Sequence, residues 1–185
     1  MSDPLQKPCT VFERNKRIAS GPLVEVAAAY KAAVERGSGQ AFLFDDRTGK
    51  AFDIDVRGTV EHMLQVLRHN HPSADDPRGP GRPKLGVAAR EVTLLPSQWD
   101  WLAAQPGGAS VTLRKLVDQA RRSPAAQARA ARDAAYAFMS AMAGDLENFE
   151  EASRALFAGD KPTFERLTAK WPKDVRAHIA KLENP

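Results

Sequence analysis

Polar and apolar positions in the first 56 residues alternate with the period of a β-strand, except in one helical stretch. Residues 9–20, CTVFERNKRIAS, are typical of a β-hairpin that turns at residues 14–16. After Gly21-Pro22, apolar side chains recur at helical spacing as far as Gly37. The members of this stripe are Leu23, Val26, Ala27, Tyr30, Ala33 and Val34. These patterns predict two strands followed by a helix.

Two further strands and a short helix complete the N-terminal pattern. Phe42 and Phe44 share one face of the first strand, and the second alternates at Phe52, Ile54 and Val56. The turn between them has Gly49 where a positive φ is needed. Residues 59–68 then show a helical stripe. We therefore expect a small antiparallel sheet of four strands with a helix packed on one face.

The central stretch 90–122, REVTLLPSQWDWLAAQPGGASVTLRKLVDQARR, has the pattern of one strand and two helices. Val92 and Leu94 share a face of the strand, and Pro96 begins the first helix because it cannot donate to a sheet ladder. Gly107-Gly108 separates the helices, and Ser110 is the predicted N-cap of the second. That helix is amphipathic, with apolar positions at Leu113, Leu116, Val117 and Ala120.

A strand and two helices of this length cannot close a hydrophobic core alone, because the strand is a bare edge and each helix buries one face. A partner must complete the core, and we expect a second copy of the chain. The predicted dimerisation residues are Val92, Leu94, Trp99, Leu102, Leu113, Leu116 and Val117.

The same stretch resembles the ribbon-helix-helix fold of the Arc and MetJ repressors. The resemblance implies that two chains pair their strands into a ribbon that enters the DNA major groove. It places the base-reading positions on Ala89, Glu91 and Thr93, of which Thr93 suits the role and Glu91 is repelled by phosphate. It also implies that the amides of residues 110–112 (Ser110, Val111 and Thr112) face a phosphate.

The C-terminal third is predicted to be a small helical bundle. Residues 123–143 are alanine-rich and helical, and the following sequence repeats at a spacing of 15, so that Gly144-Asp145 returns as Gly159-Asp160. Each glycine is expected to end a helix and each aspartate to cap the next, which gives two similar helices of about three turns. A last helix is expected at residues 173–183, with Val175, Ile179 and Leu182 inside.

Composition adds the domain organisation. With 185 residues, the chain can hold one medium domain or two to three small ones, and its 13 prolines and 12 glycines gather in the middle, which favours several domains. We expect an α+β domain at 1–71, a basic Pro/Gly linker at 72–89, the ribbon-helix-helix-like segment at 90–122 and a helical bundle at 123–185. One cysteine and no apolar run near 18 residues indicate a cytoplasmic protein that does not enter a membrane.

Charge is concentrated around the central stretch. The chain has a formal net charge of +4, but residues 78–132 carry ten basic against three acidic side chains. Within the linker, Arg78-Gly-Pro-Gly-Arg-Pro-Lys84 resembles the AT-hook, which lays an extended arginine along the A·T minor groove; a plain basic linker is the alternative. The predicted DNA-binding residues are Arg78, Arg82, Lys84, Arg90, Glu91, Thr93, Ser110, Val111, Thr112, Arg114, Lys115, Arg121 and Arg122.

Residues with catalytic or metal-binding chemistry form no recognisable motif. Asp45, Asp53 and Asp55 are expected on the wet face of the predicted sheet, opposite the apolar positions. His62, His69 and His71 lack a cysteine or the spacing of a zinc site. The sequence has no phosphate-binding loop and no nucleophile elbow, so we expect neither an enzyme nor a cofactor.

Over its full length the chain resembles an uncharacterised bacterial family of unknown function, through the DDRTG turn, the GRPKLG linker and the FMSAMAGD helix. The resulting hypothesis is a homodimeric DNA-binding protein acting as a transcriptional regulator on double-stranded DNA. The alternative is a protein-interaction adaptor or antitoxin-like module whose ribbon serves only dimerisation, with a protein partner bound through the N-terminal or C-terminal domain.

Overall fold

The computed structural model describes residues 3–37, 39–70 and 90–184, without the side chain of Asn70. The predicted linker, its AT-hook-like segment and His71 lie outside these residues. The chain divides into two compact units, one formed by residues 1–76 with 130–185 and the other by residues 77–129. The first is called the sheet unit and the second the two-helix unit.

The described residues contain three strands and eight α-helices, so the protein is of the mixed α+β class. A 3-10 helix, Pro4–Gln6, precedes the first strand. The elements of the sheet unit and the two-helix unit, in chain order, are β1 Pro8–Glu13, β2 Lys16–Pro22, α1 Leu23–Glu35, β3 Ala41–Asp45, α2 Val60–Asn70, α3 Pro96–Ala103, α4 Gly108–Arg122, α5 Pro124–Met142, α6 Phe149–Ala158, α7 Lys161–Leu167 and α8 Lys173–Glu183.

The sheet is antiparallel with β1 in the centre, in the order β2-β1-β3. The predicted hairpin and helix α1 are confirmed. The predicted fourth strand is wrong: one bridge joins Phe44 to Ala51, and no described strand follows it. Phe52, Ile54 and Val56 are half-buried against the core beside α1. Their alternation therefore reflects one buried face, which a segment can have without a partner strand.

Both faces of the sheet are covered. On one face Val26 and Tyr30 of α1 pack with Val11 and Leu43 of the sheet. On the other face Phe12 and Phe44 join a core formed by the C-terminal helices. The aromatic rings of Phe44 and Phe138 have centroids 4.8 Å apart. The sequence predicts a helix on one face of the sheet, and the structure has helices on both faces.

The N-terminal sheet and the C-terminal helices consequently share one core. The sequence predicts them as separate domains at 1–71 and 123–185, whereas the structure joins them in the sheet unit. Four consecutive residues of β1, from Cys9 to Phe12, are fully buried. A strand that is buried on both faces shows such a continuous run rather than an alternation.

The predicted internal repeat is half confirmed. Gly159 ends α6 with φ of 71°, and Asp160 caps α7 by accepting a hydrogen bond of 3.1 Å from the Thr163 amide. Asp145 caps no helix, because turns fill residues 143–148 and α6 begins after Asn148. Helix α7 has seven residues, or about two turns instead of three. The last helix is confirmed at Lys173–Glu183.

In the two-helix unit, the predicted helices form and the predicted strand does not. Residues 90–95 contain no strand in this single chain. Helix α3 begins at Pro96 as predicted, and the Leu95 amide donates to Gln98 Oε1 at 2.9 Å. Helix α4 begins at Gly108, so Ser110 as its N-cap is wrong. Gly107, with φ of 90°, takes that position because it adopts the left-handed conformation without steric cost.

Candidate nucleic-acid interface

Helices α3 and α4 leave most of their apolar side chains exposed. Leu102 is the buried residue of α3, and α4 has none. Of the predicted dimerisation residues, Leu94 and Leu113 are half-buried. The exposed apolar residues of the unit are Val92, Leu95, Trp99, Trp101, Leu116 and Val117. As a single chain, this unit has an incomplete hydrophobic core.

A shallow apolar groove runs between the two helices. Its apolar lining is Leu94, Trp101, Leu102, Leu113 and Leu116. Trp101, which is 53% exposed, is absent from the predicted dimerisation residues. Trp99 and Trp101 are two positions apart, so they point in nearly opposite directions on a helix. That spacing is the signal in the sequence that α3 presents aromatic side chains on two sides.

The predicted basic residues of this unit lie on its surface. Arg90 precedes α3, and the four cations of α4 are all exposed: Arg114, Lys115, Arg121 and Arg122. None of these five forms an ion pair with another described residue. Residues 90–129 contain six basic and three acidic side chains. The unit therefore has a net positive surface beside its exposed apolar groups.

The early start of α4 changes which amides are free at its N-terminus. The first four N–H groups of a helix have no partner inside it. With Gly107 as N-cap, the Ala109 and Ser110 amides fall in this set, whereas those of Val111 and Thr112 bond within the helix. The expectation for Ser110 stands as a prediction, and the amides of Val111 and Thr112 are not available to a ligand.

The remaining predicted DNA-binding residues are either exposed or outside the described part of the chain. Glu91 and Thr93 are exposed, in a segment without strand pairing. Arg78, Arg82 and Lys84 fall between residues 70 and 90 and are not described.

The sheet unit contains a partly buried polar cluster that the sequence patterns did not reveal. It joins Asp46, Thr10 and Ser20 of the sheet region to His178 and Lys181 of α8. Asp46 Oδ2 accepts hydrogen bonds of 3.0 Å from the Thr10 hydroxyl and 2.7 Å from Lys181 Nζ. Lys181 also donates to Ser20 Oγ at 2.9 Å. The cluster fastens α8 to β1, β2 and the turn after β3.

His178 lies at the inner end of this cluster and is fully buried. Its Nε2 is 3.6 Å from Asp46 Oδ1, and neither atom has a hydrogen-bond partner among the described residues. Its ring packs against Phe138, with centroids 4.5 Å apart. Burial lowers the pKa of His178 to about 4, although the Asp46 carboxylate opposes this shift. His178 is therefore neutral near pH 7.

The sequence contains a signal that predicts the burial of His178. Val175, Ile179 and Leu182 are predicted on the inner side of the last helix, and residue 178 is three positions after 175 and four before 182. It belongs to the same apolar stripe. A histidine on that stripe predicts a buried imidazole.

The three aspartates that the sequence pattern singled out have partners in the fold. Asp45, expected on a wet face, is buried and pairs with Lys7 at 3.1 Å, so that expectation is wrong. Asp53 and Asp55 are exposed as expected. Asp53 accepts a hydrogen bond of 3.0 Å from Tyr30, and burial together with this bond raises the pKa of Tyr30 to about 12. Burial also raises the pKa of the Cys9 thiol to about 12, which leaves it unreactive near neutral pH.

Within the described ranges, no group of three or more potential metal-ligating side chains comes together. None of the described helices is both long and apolar enough to cross a membrane.

These features place the protein in the α+β class, with a three-stranded antiparallel sheet that is covered on both faces. A basic two-helix segment lies in sequence between the N-terminal and C-terminal parts of the sheet unit. The chain belongs to a family described as an uncharacterized protein conserved in bacteria (DUF2239), whose model matches residues 8–183. This match confirms the full-length family resemblance and says nothing of the ribbon-helix-helix fold. Searches among curated proteins and solved structures gave no match.

Proposed function

We propose that the protein is a homodimeric, cytoplasmic DNA-binding protein, a transcriptional regulator, whose two-helix unit supplies both the dimer contact and the main DNA contact. One observation carries the proposal: α4 has exposed apolar residues on one side and unpaired cations on another, in a unit with almost no buried core. Exposed apolar groups favour a protein contact, and exposed cations favour a polyanion.

A second copy of the two-helix unit is the simplest partner for the apolar residues. Symmetric pairing would cover Leu116 and Val117 of both chains and fill the groove beside Trp101. Burying each of these side chains contributes about 1.5–3 kcal/mol. Pairing would also let residues 90–95 form the two-stranded ribbon that one chain alone cannot form.

Duplex DNA is the partner that fits the cations. Arg114 and Lys115 lie about two turns from the α4 N-terminus. At that terminus, the Ala109 and Ser110 amides and the helix dipole favour an anion. Arg121 and Arg122 extend the positive surface to the other end of the helix. Arg78, Arg82 and Lys84 of the linker are proposed as further contacts, with Arg82 in the minor groove.

A double substitution tests the DNA contact. Arg114→Ala/Lys115→Ala removes two exposed cations from α4 without disturbing a buried group. We expect fluorescence anisotropy to show duplex affinity reduced about tenfold at low salt, since each phosphate contact contributes to binding. The matched control is Arg154→Ala/Lys170→Ala, which removes two exposed cations from the sheet unit. Equal affinity of both variants and wild type would contradict the proposal.

The second candidate function is a protein-interaction adaptor or antitoxin-like module. The exposed Trp99 and Trp101 favour it, because aromatic residues are enriched in protein interfaces, and Glu91 opposes phosphate binding. Sedimentation separates the candidates when run with and without duplex DNA. A dimer that does not sediment with DNA at low salt would rule out the DNA-binding candidate and favour the adaptor.

A further inference from the structure

We propose that the tip of the β1–β2 hairpin, residues 14–17, is a second contact with the phosphates of duplex DNA. This inference rests on the proposed function and places a DNA contact in the sheet unit, where the charge distribution along the sequence gives no reason to expect one.

The hairpin tip concentrates positive charge. Its sequence is Arg-Asn-Lys-Arg, and all four residues are exposed. Arg14, Lys16 and Arg17 form no salt bridge with any described residue. Arginine and lysine are the side chains that most often contact DNA phosphates. Three cations in four residues therefore form a compact site for a polyanion.

The backbone of the tip shows that folding alone does not favour an arginine there. Glu13 pairs with Lys16, so Arg14 and Asn15 form a two-residue turn. Arg14 has φ of 53°, and the first position of such a turn is one that glycine occupies without strain. A long side chain in this conformation is strained. Because the turn does not require an arginine, its exposed side chain at this position supports a contact outside the fold.

Two hydrogen bonds hold the backbone of the tip in place. The Arg14 amide donates to the Gln40 carbonyl at 2.8 Å, and the Arg17 amide donates to Asp174 Oδ2 at 3.0 Å. Phe12, two residues before Arg14, is fully buried in the core. The cations are thus presented from a fixed two-stranded ribbon, an element that the major groove of DNA can admit.

Duplex DNA fits the tip better than an anionic membrane does. Peripheral membrane binding combines cations with apolar side chains that enter the lipid interface. Residues 14–17 contain no apolar side chain, and Ile18, which follows them, is half-buried against the core.

The test uses the full-length chain carrying Arg14→Gly/Lys16→Thr. Glycine relaxes the turn and threonine suits a strand, so we expect Tm to stay unchanged or to rise by about 2–4 °C. Duplex affinity at low salt should fall about tenfold, and the slope of log affinity against log salt should lose about two units per chain. The control Arg154→Ala/Lys170→Ala should bind as wild type does.

Two comparisons separate failure of this inference from failure of the proposed function. If Arg14→Gly/Lys16→Thr binds with wild-type affinity and slope while Arg114→Ala/Lys115→Ala is weakened, the hairpin contact is wrong and the proposed function stands. If the wild-type chain does not bind duplex DNA at all, both are wrong. If Arg14→Gly/Lys16→Thr instead loses binding to vesicles that contain phosphatidylserine, while its affinity for duplex DNA is unchanged, the DNA contact is also wrong and the tip binds a membrane.

Discussion

Among single side chains, His178 links the stability of the fold to pH. It is fully buried between Phe12 and Phe138, and the charged groups that face it are Asp46 after β3, Lys181 on α8 and Arg17 on β2. A buried imidazole with a lowered pKa resists protonation in the folded state, whereas the unfolded chain takes up the proton near its ordinary pKa of about 6.5.

The stability of the protein should therefore fall in mild acid. The unfolded state binds more protons than the folded state between about pH 6.5 and about 4, so the free energy of unfolding decreases as pH falls through this window. The loss should be roughly 2–3 kcal/mol. Urea unfolding at neutral pH and at two mildly acidic pH values inside the window measures it.

His178→Gln is the control for this pH effect, because glutamine keeps hydrogen-bonding groups and does not titrate. The variant should lose less stability than wild type between neutral pH and the acid end of the window. Parallel pH profiles of the two proteins would show that another group causes the acid sensitivity.

At the scale of elements, the turn after β3 joins the sheet to α5. Gly49 has φ of 65° and is buried, and a Cβ atom on it would overlap the backbone carbonyl of Ala134. The glycine thus meets two requirements, a positive φ for the turn and the close approach of a helix backbone.

Gly49→Ala should destabilise the protein by about 3 kcal/mol, because strain at positive φ adds to the overlap with α5. Gly37→Ala is a matched control, since Gly37 has φ of 70° and a methyl group there would meet nothing within 4 Å beyond its chain neighbours. It should lose about 1 kcal/mol. Thermal unfolding compares the two, and equal losses would mean that the turn does not pack on α5 as described.

Elements with a strong local pattern could be predicted from the sequence. Helices α1 and α8 have uninterrupted apolar stripes, and the β1–β2 hairpin has a polar turn between apolar runs. The strand predicted at residues 52–56 is wrong because alternation identifies a buried face and contains no information about a pairing partner. The strand predicted at residues 90–95 needs a second copy of the chain as its pairing partner. A single chain offers these residues no strand to pair with.

The candidate site could be predicted only in part, for a related reason. Exposed cations such as Arg114 follow directly from the polar side of an amphipathic helix. The cluster of Asp46, His178 and Lys181 joins residues more than 130 positions apart, so no local spacing could reveal it. The positive φ of Arg14 likewise arises from strand register, which composition does not encode.

At the scale of the whole molecule, the two ends of the chain depend on each other for folding. Phe12 and Phe44 are fully buried against C-terminal side chains such as Phe138 and Met139. Each buried phenylalanine contributes about 1.5–3 kcal/mol, a large share of the stability of a typical domain.

A fragment of residues 1–70 should therefore not fold, although it contains every strand described. Without the C-terminal helices, the sheet face that carries Phe12 and Phe44 would be exposed, and the Asp46 carboxylate would lose Lys181. We expect a poorly dispersed proton–nitrogen NMR spectrum and no cooperative thermal transition. A well-dispersed spectrum would show that the N-terminal segment is an independent domain.

On the proposed function, the protein binds duplex DNA as a dimer through unpaired cations. A salt titration of the full-length protein on random-sequence duplex DNA, followed by fluorescence anisotropy, tests it most directly. If each chain neutralises about three to five phosphates, the slope of log affinity against log salt should be on the order of −5 to −9. A slope near zero, or no binding at low salt, would contradict the claim.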